Sequence, residues 1–109
     1  MTTYILNGFS FLMNQPDEGN IKYKYVSSED AREMCINATS RVGQKNLAKV
    51  LSNEFGFQVD YCPGNIELEE GDDVIVAYLA GNKLPEGATK LPRNVDIKYV
   101  HAKLKEAVV

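Results

Sequence analysis

The chain has 109 residues and a mass of 12.2 kDa, enough for one domain with a two-layer core. Hydrophobic residues make up 44% and charged residues 25%, the balance of an ordinary globular protein. A net charge of -3 and a pI near 5.1 argue against long nucleic acid or an anionic membrane as partner, although a compact anion can still bind in a locally positive pocket.

Tyr4 to Leu12 is apolar and β-rich but broken by Asn7-Gly8, which predicts a first strand running into a loop. Gln15 to Asn20 is a turn cluster. Ile21 to Val26 alternates and predicts a strand with one wet face, its lysines Lys22 and Lys24 suiting a sheet edge. Ser27 is placed to cap a first helix, with Glu29 and Asp30 complementing the dipole. Ala31, Met34, Cys35 and Ala38 recur at helical spacing as its buried stripe. Ser40 reads as the cap of a second helix that closes at Gly56, with Leu47, Val50, Leu51 and Phe55 as its core face. After Pro63 and Gly64 come Asn65 to Leu68 and an acidic turn from Glu69 to Asp72. Val74 to Ala80 is apolar on both faces, as a covered central strand must be. The following stretch contains Pro85 and Pro92 and predicts no long helix, and Val95 to Leu104 reads as a last strand. The expected fold is a mixed α/β sheet of about five strands with two main helices, in a single domain over residues 1–109.

Cys35 and Cys62 stand apart with no Cys-x-x-Cys spacing, and His101 is the one histidine. No metal or other cofactor is therefore expected, and both thiols should be reduced. No apolar stretch reaches the ~18 residues of a membrane span, so a cytoplasmic protein without membrane contact is expected.

Chemistry concentrates in three places. The start of the second helix offers free amides, the cations Arg41 and Lys45, and Gly43 where a ligand can approach closely, the means by which proteins hold phosphate without a metal. A helix start that binds nothing is the plainer reading. Gln44 lies three residues before Leu47, four before Ala48 and seven before Leu51, so helical periodicity turns it toward the core, where its amide must be bonded internally or face a cleft. The second place is Asn82 to Gly87: Pro85 restrains the backbone and Gly87 permits a sharp turn, presenting Glu86 on a defined loop. The third is Asn7-Gly8-Phe9-Ser10, a small hydroxyl after strand one with no visible partner for a nucleophilic triad.

In this order and spacing, Tyr4 to Ser10, Thr39 to Gln44 opening a helix that closes at Gly56, and Lys83 to Gly87 after an apolar strand resemble the viral ring nucleases. These are small type III anti-CRISPR proteins of archaeal viruses and phages, with cellular relatives, and the resemblance spans nearly the whole chain. It implies a mixed α/β homodimer that binds cyclic tetra-adenylate, a second messenger of host antiviral defence, across its two-fold axis in the host cytoplasm. It also implies metal-independent cleavage, by attack of a ribose 2′-hydroxyl on its own phosphate. On this resemblance Ser10 matches a ligand-contacting serine and Glu86 the glutamate after the central strand. Lys83 stands where arginine is usual, keeping the charge without the bidentate fork. Gln44 stands in place of the histidine proposed as general acid, and an amide cannot deliver a proton near neutral pH. Three readings follow: a ring nuclease of reduced or altered activity, a sponge that holds a cyclic nucleotide without cutting it, or a small regulatory protein that keeps only the fold. His101 is the one alternative acid, but it follows Ile97 and Tyr99 on one strand face, the pattern of a packed or surface histidine.

Overall fold

The computed structural model describes residues 2–8, 20–64, 71–81, 83–85 and 87–105. In chain order the elements are β1 (Thr3–Leu6), β2 (Asn20–Val26), α1 (Ser28–Cys35), β3 (Thr39–Arg41), α2 (Lys45–Phe55), β4 (Asp73–Gly81) and β5 (Val95–Lys105). The strands form one sheet in the order β2-β5-β4-β1-β3. β1 runs parallel to both β3 and β4, while β5 runs antiparallel to β2 and β4. The expected mixed sheet with two helices is present.

β4 lies mid-sheet, and Val74 to Ala77 are fully buried because both faces are covered. Period-two alternation sends Ile75 and Ala77 to a cluster with Ile5 and Tyr99, against which Ala31 and Cys35 of α1 and Leu47, Ala48, Leu51 and Phe55 of α2 pack. Val74 and Val76 join Leu6, Val100 and Ala102 on the opposite face. Burial alone pushes the Cys35 thiol up to about 12, since a thiolate among aliphatic side chains loses its water.

Local rules account for most helix ends. Ser27 caps α1, its Oγ accepting from the Asp30 amide at 3.1 Å. Met34, expected in the buried stripe, is 36% exposed, and Ala38 falls beyond the helix. α2 ends as expected at Gly56 with φ 77°, the left-handed geometry glycine tolerates. Arg32 donates from Nε to the Phe55 carbonyl at 2.6 Å, and its guanidinium sits 5.9 Å above the Phe57 ring. α1 therefore satisfies an orphan carbonyl at the end of α2.

Two further expectations change. Ser40 is not a helix cap: it lies in β3, and α2 begins at Lys45 with Gln44 as its N-cap in extended geometry. Residues Tyr4, Ile5 and Leu6 leave one edge of β1 open, and Thr39, Ser40 and Arg41 fill it in parallel register. Pairing a buried strand outweighs one local capping bond. The first strand ends at Leu6, with the rest of the Tyr4 to Leu12 reading beyond Gly8 outside the described residues, as is Asn65 to Leu68. On β2, which is an edge strand as expected, Tyr23 and Tyr25 are exposed together with Lys22 and Lys24, so its described middle is wet on both faces.

Candidate functional site

β1, β3 and β4 are parallel, so their C-terminal ends gather on one side of the sheet. In open α/β sheets that end forms the crevice where ligands bind. The turn after β1, the start of α2 and the loop after β4 meet there. The Asn7 Oδ1 accepts from the Gly43 amide at 3.1 Å, joining segments 36 residues apart. The Asn46 side-chain amide donates to the Pro85 carbonyl at 3.4 Å, which draws the loop after β4 against the first turn of α2. Leu84 anchors that loop in the core cluster, and Asn53 donates to the Thr89 carbonyl further along.

Gln44 is exposed, contrary to the inward orientation expected from helical periodicity. Periodicity does not apply to it, because an N-cap with φ -131° and ψ 118° stands outside the helical spiral. Its side chain makes no capping bond, and the first turn of α2 carries no acidic residue. The Ala48 amide reaches the Gln44 carbonyl at 3.0 Å, leaving the preceding amides of the turn pointing outward at the positive end of the dipole. Lys45 stands beside them, its Nζ 5.4 Å from the centroid of the Tyr61 ring.

Arg41 belongs to β3 rather than to the first turn of α2. Its Nη1 donates to the Ser40 carbonyl at 3.1 Å and contacts the Cys62 Sγ at 3.2 Å. Gly43 is exposed, and a methyl group added there would meet Asn7 Oδ1 at 3.7 Å and Pro63 Cα at 3.8 Å, ordinary contacts that its neighbours tolerate. Lys83 is exposed on the loop that Asn46 holds. Gly87 has φ 77°, as expected of the sharp turn. Ser10 and Glu86 lie outside the described residues.

His101 is elsewhere. It pairs with Ile75 near the start of β4, so about 20 Å of strand separates it from the Gly81 end. Its Nε2 lies 2.8 Å from Asp73 Oδ1, and its side chain is 22% exposed. Within one chain it cannot stand in for an acid at Gln44. Among the described residues no three His, Cys, Asp or Glu side chains come together as a metal site, and no helix is long and apolar enough to cross a membrane.

Asn7, Asn46 and Tyr61 complete the arrangement; Asn46 and Tyr61 were not singled out in the sequence, and Asn7 was named only within the segment Asn7-Gly8-Phe9-Ser10. Asn7 carried a partial signal as half of an Asn-Gly turn. Asn46 and Tyr61 carried none, since each acts through a segment distant along the chain.

Comparison with known proteins supplies the family. No curated protein sequence matches the chain. Among solved structures, B116 of Sulfolobus turreted icosahedral virus (STIV) superposes with a TM-score of 0.78 at 15% identity, covering 94% of this chain and 99% of that one. At that identity the likeness establishes a shared fold. The sequence profile of the STIV B116-like family matches residues 3–104, in keeping with the resemblance to small archaeal-virus and phage proteins, and the chain belongs to that family.

Proposed function

We propose that this protein binds a cyclic oligoadenylate, of the cyclic tetra-adenylate kind, and neutralises it as a second messenger of host defence by holding it more than by cutting it. The observation that carries the reading is the uncapped N-terminus of α2, with Gln44, Lys45 and Gly43 exposed beside a loop that Asn46 ties in place. Outward amides and a lysine suit the phosphates of a small ring. The site is small and local on a chain of net charge -3, which favours a short anion over a long one.

The reaction open to such a site is displacement at phosphorus by the neighbouring ribose 2′-hydroxyl, with a proton delivered to the departing 5′-oxygen. Amides and Lys45 would stabilise charge on the phosphate, and Glu86 stands in the segment that the resemblance assigns to the chemistry. Gln44 can donate a hydrogen bond to the leaving oxygen but has no proton to give up, so turnover is slow or absent. A two-fold symmetric ring is best matched by a homodimer, with one such helix start from each copy.

Calorimetric titration with cyclic tetra-adenylate in EDTA tests the proposal. Saturable binding at one ring per dimer, weakened about tenfold by Lys45→Ala, is the expected result. Failure of the ring to bind at any concentration up to 0.1 mM (about the weakest affinity useful to a sponge) would remove it. Recovery of intact ring after denaturing the complex identifies a sponge; recovery of linear product identifies a nuclease.

A further inference from the structure

The other end of the sheet carries a second cluster that the proposed nucleotide site does not use. Cross-strand register places Lys22 directly opposite Lys103 and Lys24 directly opposite His101, with Ile75 on the far side of His101. Lys22, Lys24, His101, Lys103 and Asp73 therefore share the helix-bearing face of the sheet. A cavity of about 270 Å³ is lined by Lys22, Tyr23, Lys24, His101 and Lys103. A second, of about 170 Å³, is lined by Thr3, Met34, Asp73, Ile75 and His101. His101 is the wall between them.

Like charges directly opposite one another on neighbouring strands destabilise a sheet. Two lysines on an edge strand are explained by protection against wrong pairing, but Lys103 is not. It lies half-buried on β5, which is flanked by β2 and β4. Among the described residues lining the two cavities, Asp73 is the one carboxylate, and its Oδ1 is 2.8 Å from His101 Nε2. α1 contributes Met34 to this region. Three lysines thus line one cavity, in a protein whose overall charge is negative, beside an imidazole held in place by a carboxylate.

We infer that Lys22, Lys24, Lys103 and His101 form a second anion site for a compact dianionic phosphoryl group, such as inorganic phosphate or a phosphomonoester. The like-charge pair opposite one another on β2 and β5 is then a binding device, relieved when the anion sits between the ammonium groups. The lysines supply point charges and His101 supplies a directed N–H, with Asp73 fixing the ring. Ile75, Ile5 and Ser40 lie in one row across the sheet from His101, which sets the site three strand spacings, about 14 Å, from β3, so it binds independently of the nucleotide site.

Because His101 is the one histidine, its ring signals in a side-chain NMR spectrum are an unambiguous reporter. Inorganic phosphate is titrated into the full chain, with sodium chloride at matched ionic strength as the control. A saturable movement of the His101 signals with phosphate and not with chloride is expected. Lys103→Gln and Lys22→Gln should each weaken the midpoint about tenfold, while Lys45→Gln leaves it unchanged. Methyl phosphate should bind like phosphate, and dimethyl phosphate, with a single charge, about tenfold more weakly. A linear response equal for phosphate and chloride, or an unchanged midpoint in Lys103→Gln with native-like spectra, would overturn the site. Equal binding of dimethyl phosphate would overturn its preference for a dianion.

Discussion

Replacing Gln44 with histidine asks whether the candidate site lacks only a proton donor. Gln44 is exposed and makes no capping bond, so no bond among the described residues is lost and stability should stay within about 0.5 kcal/mol of wild type. The amide nitrogen of glutamine and the Nε2 of histidine reach similar distances from the backbone, so the new group can occupy the same place. General acid catalysis contributes about two to four powers of ten, or about 3–5 kcal/mol of barrier. The helix start opposes a positive imidazolium by about 0.3–1 kcal/mol, which holds the new imidazole somewhat below its ordinary range. The protonated, proton-donating form is therefore favoured at pH 6 over pH 7. The gain in cleavage should therefore be larger at pH 6 than at pH 7, with binding unchanged at either. Single-turnover reactions of wild type and Gln44→His with cyclic tetra-adenylate in EDTA, followed by separation of ring from linear product, measure it. Equal rates for the two proteins at both pH values, with the ring bound by both, would refute the assignment of Gln44 to the acid position.

Other perturbations separate fold from site. Gly43→Ala adds a methyl group that meets neighbours at 3.7 Å or more, so its melting temperature should match wild type while ring affinity falls if phosphate approaches the backbone there; calorimetry beside thermal unfolding reads both. Ser52 donates to the Ala48 carbonyl at 2.8 Å and accepts from the Val59 amide at 2.8 Å. Ser52→Ala strips that buried amide of its partner and should lower stability by about 1–3 kcal/mol in denaturant unfolding. Burial raises the Cys35 thiol from 9.0 to about 12. The folded state thus keeps a proton that the unfolded chain releases, and the associated stability is complete below about pH 9 and lost as pH rises toward about 12. Unfolding midpoints between pH 8 and 11 should fall, less steeply in Cys35→Ala.

The strongest sequence signals were those of segments whose partners lie close along the chain or whose burial is complete. Ser27, Gly56 and the stripe Leu47, Val50, Leu51 and Phe55 sit where local rules place them. β4 was legible because a strand covered on both faces has no polar alternation to confuse it with anything else. β3 was not. Thr39, Ser40 and Arg41 show neither apolar alternation nor β-branched density, and what makes them a strand is the open edge of β1, more than thirty residues earlier. The same error carried Gln44 inward, since a helix begun at Ser40 would include Gln44 in its spiral, whereas one that starts at Lys45 leaves it outside as an extended N-cap. The site followed suit: its charged members could be named from the sequence, but Asn7 and Asn46, which lock its walls together, act across 36 and 39 residues.

The order β2-β5-β4-β1-β3 also dictates when the sheet can close during synthesis. β1 is made first yet sits between β3 and β4, and β2, made second, has β5 as its partner. Ile5 and Leu6 therefore wait with an unpaired edge until much later segments emerge, and β2 waits for the last strand. Few of the native pairings can form early, so the nascent chain carries exposed strand edges for most of its translation, a state prone to association. A fold of this topology favours rapid release of the complete chain over piecewise assembly on the ribosome, and its yield in a host cell should depend on temperature and chaperone supply more than its final stability would suggest.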